Sequence, residues 1–273
     1  MQEKIGISLG SLLPWCAFPL WDFLARSFAI PIAAAMTKEI GASFWQVLPF
    51  KGVTAAALEK AEIPVRYAEL AWNGTTLWRH LRGEEGNAGT PSMWQDILLF
   101  PHPRISTLRT SEFLLTFPEA VLIKHEIPSA SYKSWNYLTE IHPELDMPPG
   151  NLNLAAASCL ETDKPYVLDT KHMRREHREG IPSPLQPWEV FWETLFPISQ
   201  AVHIQPLSRE ELTRTLDGYQ TELWRMLSYL ESFEGDLVIE IPPTLWEPRV
   251  MLKPKELGKS LRKVRKLLET VAF

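Results

Sequence analysis

Three acids and a histidine, Glu126, Asp169, His203 and Glu240, each close a short aliphatic or β-branched run. The runs are Val121-Leu-Ile-Lys-His-Glu126, Tyr166-Val-Leu-Asp169, Ala201-Val-His203 and Leu237-Val-Ile-Glu240. In a barrel of parallel strands every carboxyl end opens on the same face, so residues far apart in the chain converge there. Three carboxylates and an imidazole on that face would form a cation site. Within a few ångströms of one another, each pair of carboxylates would repel by roughly 3–4 kcal/mol at an effective dielectric of about 20. A divalent cation relieves that repulsion directly. Oxygen donors with one imidazole nitrogen favour Mn²⁺, Mg²⁺, Co²⁺ or Zn²⁺ in an open catalytic site over a closed structural zinc. A single strand-end acid more often caps the next helix or pairs with a neighbouring base, so the joint placement carries the argument.

Around these four stand secondary candidates. Lys124 lies two residues before Glu126 and is expected to share its face, while His125 is expected to face the other way. The plainer reading of Lys124 is a rim lysine paired with a carboxylate. His102 follows a weak strand candidate, and Glu69 closes another with its facing undecided. The run Lys171-His-Met-Arg-Arg-Glu-His-Arg178 could present Arg174 or Arg175 to a substrate phosphate or carboxylate. A solvated, mixed-charge loop is its plainer reading. If neither arginine turns inward, a neutral polyol is favoured. Trp72, Trp78, Trp94, Tyr132, Trp135 and Tyr137 lie in two long connections, 73–96 and 127–151, or at their edges, where they could wall a pocket or cover the barrel end.

The elements that must position these residues read as alternating short apolar runs and longer amphipathic segments, the pattern of βα units. Strands are expected at 5–9, 44–48, 65–71, 97–100, 120–126, 166–169, 201–204 and 237–240, the fourth being the weakest. Helices are expected near 21–40, closed by Gly41, and near 152–160, 215–233 and 255–271. Eight such units in 273 residues predict a single-domain (β/α)₈ TIM barrel over residues 1–273. With 45% apolar and 22% charged residues the chain can bury a large core. A net charge of −5 argues against nucleic-acid partners, whose phosphates call for Lys and Arg. Cys16 and Cys159 are too few for a disulfide framework, so a cytoplasmic compartment is expected. The first residues lack the basic leader of a signal peptide, and no membrane span is expected.

The segments Lys4-Ile-Gly-Ile-Ser-Leu, Lys38-Glu-Ile-Gly-Ala-Ser-Phe-Trp-Gln-Val, Leu122-Ile-Lys-His-Glu126, Val167-Leu-Asp-Thr-Lys-His172, Val202-His-Ile-Gln and Leu237-Val-Ile-Glu240 together resemble the xylose isomerase-like barrel superfamily. The likeness is to its sugar phosphate isomerase/epimerase branch, and its most specific piece is Asp169-Thr-Lys-His172, similar to that family's Asp-Thr-x-His motif. The resemblance implies that Glu126, Asp169, His203 and Glu240 hold a divalent metal and that His172 contacts the substrate. It also implies that Glu126 and Glu240 work from opposite faces of a sugar or polyol carbon, one removing the proton next to a carbonyl and the other returning it. The chain departs from the pattern after His203, where Ile204-Gln205-Pro206 stands in place of x-Asp. The Asp-x-His pair of the nuclease branch is also missing, which disfavours that chemistry. A metal-dependent dehydratase on a polyhydroxy substrate and a non-catalytic binding module remain the alternatives, and the oligomeric state stays open.

Overall fold

A computed structural model describes residues 4–13, 29–47, 55–69, 116–124, 137–140, 166–175, 188–242 and 245–272. Its strands are β1 (Ile5–Ser8), β2 (Trp45–Val47), β3 (Val65–Glu69), β4 (Val121–Lys124), β5 (Tyr137–Glu140), β6 (Tyr166–Asp169), β7 (Ser199–Ile204) and β8 (Asp236–Ile239). All are parallel, each pairs with the next in chain order, and β8 returns to pair with β1.

The two faces of this sheet follow from the two-residue period of a strand. Phe44, Tyr67, Val121, Ile123, Leu138, Val167, Ala201 and Val238 form one buried cluster inside the ring. Their chain neighbours, among them Ile5, Ile7, Trp45, Val47, Tyr166, Leu168, Val202, Ile204, Leu237 and Ile239, join the larger core between strands and helices.

The helices are α1 (Leu9–Leu12), α2 (Ala29–Ile40), α3 (Ala55–Glu59), α4 (His172–Arg175), α5 (Trp188–Leu195), α6 (Arg209–Leu216), α7 (Glu222–Ser228), α8 (Pro248–Met251) and α9 (Pro254–Ala272). α9 lays Leu257, Leu261, Val264 and Leu268 against the core at helical spacing. Full burial of each leucine contributes about 1.5–3 kcal/mol. Its Lys255, Lys259, Lys263 and Lys266 are exposed, as the amphipathic pattern indicates. α2 ends where Gly41 adopts φ +82° and its N–H returns to the carbonyl of Thr37.

The regular (β/α)₈ TIM barrel read from the sequence needs correction. Among the described residues, helices follow β1, β2, β6, β7 and β8, whereas between β3 and β6 only Thr116 is helical, so the described helical layer covers only part of the ring. Only residues 125–136 separate β4 from β5, close to the shortest crossover that can join parallel strands. That length leaves little room for a further full βα unit. The strand count along this stretch shifts as well. β3 pairs directly with β4, Tyr67 beside Val121, and the strand expected at 97–100 lies outside the described residues. The strand expected fifth is therefore β4, and β5 arises inside the segment read as a long loop. The first part of the helix expected at 21–40, residues 21–28, and the helix expected at 152–160 lie outside the described residues.

The expected helix 215–233 is also two. Gly218 takes φ +86°, and the Thr221 hydroxyl caps a new helix by accepting from the Trp224 N–H. Such a cap competes successfully with continued helix.

At the amino-terminal ends of the strands, Asp236 of β8 accepts from the Tyr67 hydroxyl at 2.6 Å and from Arg66 at 2.6 Å. Arg66 also lies over the Phe44 ring, 4.2 Å from its centroid. Burial pushes the Asp236 carboxyl above the usual carboxylate range, opposed by the Tyr67 hydroxyl, Arg66 and Lys4. Burial, and then the Asp236 charge, push the Tyr67 phenol up as well.

Candidate functional site at the carboxyl ends of β6, β7 and β8

The interior residues Phe44, Val167, Ala201 and Val238 are each followed two positions later by a polar residue: Gln46, Asp169, His203 and Glu240. The alternation that buries the first set therefore raises the second into the next layer, at the carboxyl mouth. Asp169 and His203 are register partners on adjacent strands. Glu240 follows the last residue of β8, and its N–H bonds the carbonyl of Ile204 at 3.1 Å.

His203 is fully buried, and its Nδ1 lies 3.1 Å from Glu240 Oε2 and 3.9 Å from Asp169 Oδ2. The other Asp169 oxygen accepts the Lys171 N–H at 2.6 Å, which turns Oδ2 towards the imidazole. Gln46 Nε2 donates to Glu240 Oε2 at 3.0 Å. Asp169 and Gln46 are as buried as His203, whereas the Glu240 side chain keeps 19% of its surface exposed and is the member that solvent reaches.

Backbone staples hold these strand ends. Ser11 Oγ accepts the Ile241 N–H at 2.7 Å and donates to the Ile239 carbonyl at 3.3 Å, bracketing Glu240. Thr170 Oγ1 accepts the Gln205 N–H at 2.8 Å and donates to the Gln205 carbonyl at 2.9 Å, tying β6 to β7 just beyond Asp169 and His203.

The side chain of Arg175 is not described, and Arg174 turns into the protein. Its side chain has no exposed surface, and its guanidinium pairs with Glu211, itself 8% exposed. The same guanidinium donates to the carbonyls of Thr170 at 2.5 Å and Gln205 at 3.2 Å. Glu211 in turn accepts the N–H groups of Leu207 and Leu223. The guanidinium expected to meet a substrate anion is thus part of a buried fastener.

The structure brings together Asp169, His203 and Glu240 of the residues expected to hold a metal. Glu126 lies outside the described residues, as do Trp72 and His102. Lys124 is the last residue of β4, paired with Thr139, and His172 opens α4; their side chains are not described. On β4 the described interior positions are Val121 and Ile123.

As placed, no group of three or more His, Cys, Asp or Glu among the described residues could hold a metal ion. The donor types are those a divalent cation takes, and of the two spacings only the His203–Glu240 one matches a shared cation. Ligands about 2.1 Å from a common cation lie roughly 3 Å apart, against 3.1 and 3.9 Å at Nδ1. Two carboxylates converging on one buried nitrogen call for positive charge, either a proton on the ring or a cation among them.

Sequence reasoning missed Gln46, Ser11 and Thr170, and saw Gln205 only as a departure. The available signal for Gln46 was a lone amide in the apolar run Phe44-Trp-Gln-Val-Leu48. No family model matches the chain, and no curated protein matches it. No helix among the described residues is long and apolar enough to cross a membrane.

Proposed function

We propose that the chain is a divalent-metal-dependent isomerase or epimerase that moves a proton next to the carbonyl of a neutral sugar or polyol. The observation that carries this reading is the meeting of Asp169, His203 and Glu240 at one strand-end mouth, with His203 Nδ1 3.1 Å from Glu240. Asp169, His203 and Glu240 would hold the cation, with Glu126 the fourth ligand that the family resemblance implies. A divalent ion bound there would supply Lewis-acid polarisation of the substrate carbonyl.

Glu240 is the acid–base residue of this proposal. It is the most accessible of the three, and Gln46 and Ser11 fix its carboxylate and backbone. His203, buried at its side, orients it, with Asp169 beyond the same nitrogen. The engagement of Arg174 by Glu211 removes the cation best placed for a phosphate, which favours an uncharged substrate. A cytoplasmic site of action belongs to the same proposal.

The test is solvent-deuterium exchange into neutral ketoses such as D-fructose and D-tagatose, followed by proton NMR with MnCl₂ present. The wild type should exchange the proton next to the carbonyl. Glu240→Gln should lower the rate by roughly 10²–10⁴-fold, the usual contribution of general acid–base catalysis. Equal exchange by the variant, or none by the wild type on any ketose, would refute the proposal.

A further inference from the structure

We propose that Gln205 is the residue that receives a substrate hydroxyl, its side-chain carbonyl oxygen acting as a neutral acceptor beside the Glu240–His203 pair. The inference rests on the polyol reading above and deepens it.

Gln205 is 7% exposed, and its Oε1 is buried with no hydrogen-bond partner among the described residues. An acceptor removed from water without a donor forfeits the hydration it had in the unfolded chain. Such a group in a native fold calls for a reason.

Its direction follows from the backbone. In a parallel ladder successive residues bond to opposite neighbours, so residues that bond to the same neighbour share a face. The His203 carbonyl accepts from Thr170 on the β6 side, and the Ile204 carbonyl accepts from Glu240 on the β8 side. Gln205, one residue past β7 and two past His203, meets the end of β6 through the Thr170 hydroxyl, to which its N–H donates and from which its carbonyl accepts. The alternation therefore runs through Gln205 and sets its side chain on the His203 face, one step further out towards the mouth. Thr170 and Arg174 hold this backbone in place through three hydrogen bonds.

What this oxygen can take is a donor, and its neutrality suits an uncharged one. A carboxylate here would add a negative charge beside Asp169 and Glu240 and would favour a cation. A carboxamide adds none and accepts from a hydroxyl at ordinary hydrogen-bond strength. With Arg174 engaged by Glu211, the described mouth beside β6 and β7 is chemically a place for a hydroxyl.

The test compares wild type with Gln205→Met, which keeps length and removes the acceptor. Without ligand, the variant's melting midpoint should rise by about 1–4 °C, because an unsatisfied buried oxygen is gone. In deuterium exchange on D-fructose its KM should rise about 3- to 10-fold, the worth of one neutral hydrogen bond, while kcat changes less.

On 4-, 5- and 6-deoxy-D-fructose, one analogue should lose that same factor with the wild type and lose nothing further with the variant. A lowered midpoint, an unchanged KM on D-fructose, or an equal loss on every analogue overturns the assignment of Gln205 alone. No exchange by the wild type on any ketose overturns the polyol reading, and this inference with it.

Discussion

Gly6 shows how closely the ring interior is filled. A Cβ on this residue would stand 2.1 Å from the Phe44 ring, so Gly6→Ala must displace an aromatic ring that also packs edge-on to Tyr67. Overpacking of that kind should lower stability by about 2–3 kcal/mol in urea denaturation. A variant as stable as the wild type would show that the ring has room to move.

The strand ends explain what could be read at this scale. Asp169, His203 and Glu240 each stand at the end of a run whose interior members are small or β-branched, Val167, Ala201 and Val238, so their place at the carboxyl ends of strands was enough to bring them to one mouth. On β4 the run Val121-Leu-Ile carries no alternation from which a facing could be counted. Gln46 and Ser11 escaped notice for a different reason. Their roles arise from bonds to residues 194 and 230 positions away, which no local pattern encodes.

At the scale of elements, the Arg174–Glu211 pair joins α4 to α6 and holds the ends of β6 and β7 through Thr170 and Gln205. A buried carboxylate left without its partner is strongly unfavourable. Arg174→Met should therefore destabilise the protein by about 3–5 kcal/mol, measured by chemical denaturation. A loss below about 1 kcal/mol would mean that the pair is no fastener.

From the chain alone Arg174 and Glu211 belong to a basic run and a helix start 37 residues apart, so the pairing was invisible and the run read as a solvated loop or a substrate contact. Boundaries were legible where a local device marks them. Gly41 announces the end of α2, but Gly218 and Thr221 split an apparently continuous amphipathic stretch because a hydroxyl cap outweighs helix continuation.

For the molecule as a whole, most strands were legible because they hold a short apolar run, whereas β5, Tyr-Leu-Thr-Glu, does not and fell in a segment read as a loop. The regular eightfold repeat was not legible, because apolar runs of strand length do not say which of them pair. The Tyr67–Asp236 bond links β3 to β8 across the amino-terminal floor of this ring and ties stability to pH.

The folded protein holds the Tyr67 proton more tightly than the unfolded chain, whose phenol titrates near about 10. Its stabilising contribution is therefore complete below that pH and is lost as pH rises through and beyond it. Asp236 behaves alike in a lower window, losing stability as pH climbs from about 4 towards its raised value. Tyr67→Phe should lose about 1–3 kcal/mol at neutral pH and show a shallower fall in urea stability between pH 9 and 11 than the wild type. Parallel curves would disconnect this phenol from the alkaline limb.

The central claim is that the strand-end mouth gathers a cation. Equilibrium dialysis against MnCl₂ measures this directly, without knowledge of the substrate. The wild type should bind one ion per chain. His203→Ala should weaken that binding by more than the roughly 10- to 100-fold that loss of a supporting hydrogen-bond partner costs. Binding by His203→Ala equal to that of the wild type, or no stoichiometric binding by the wild type, would contradict the account.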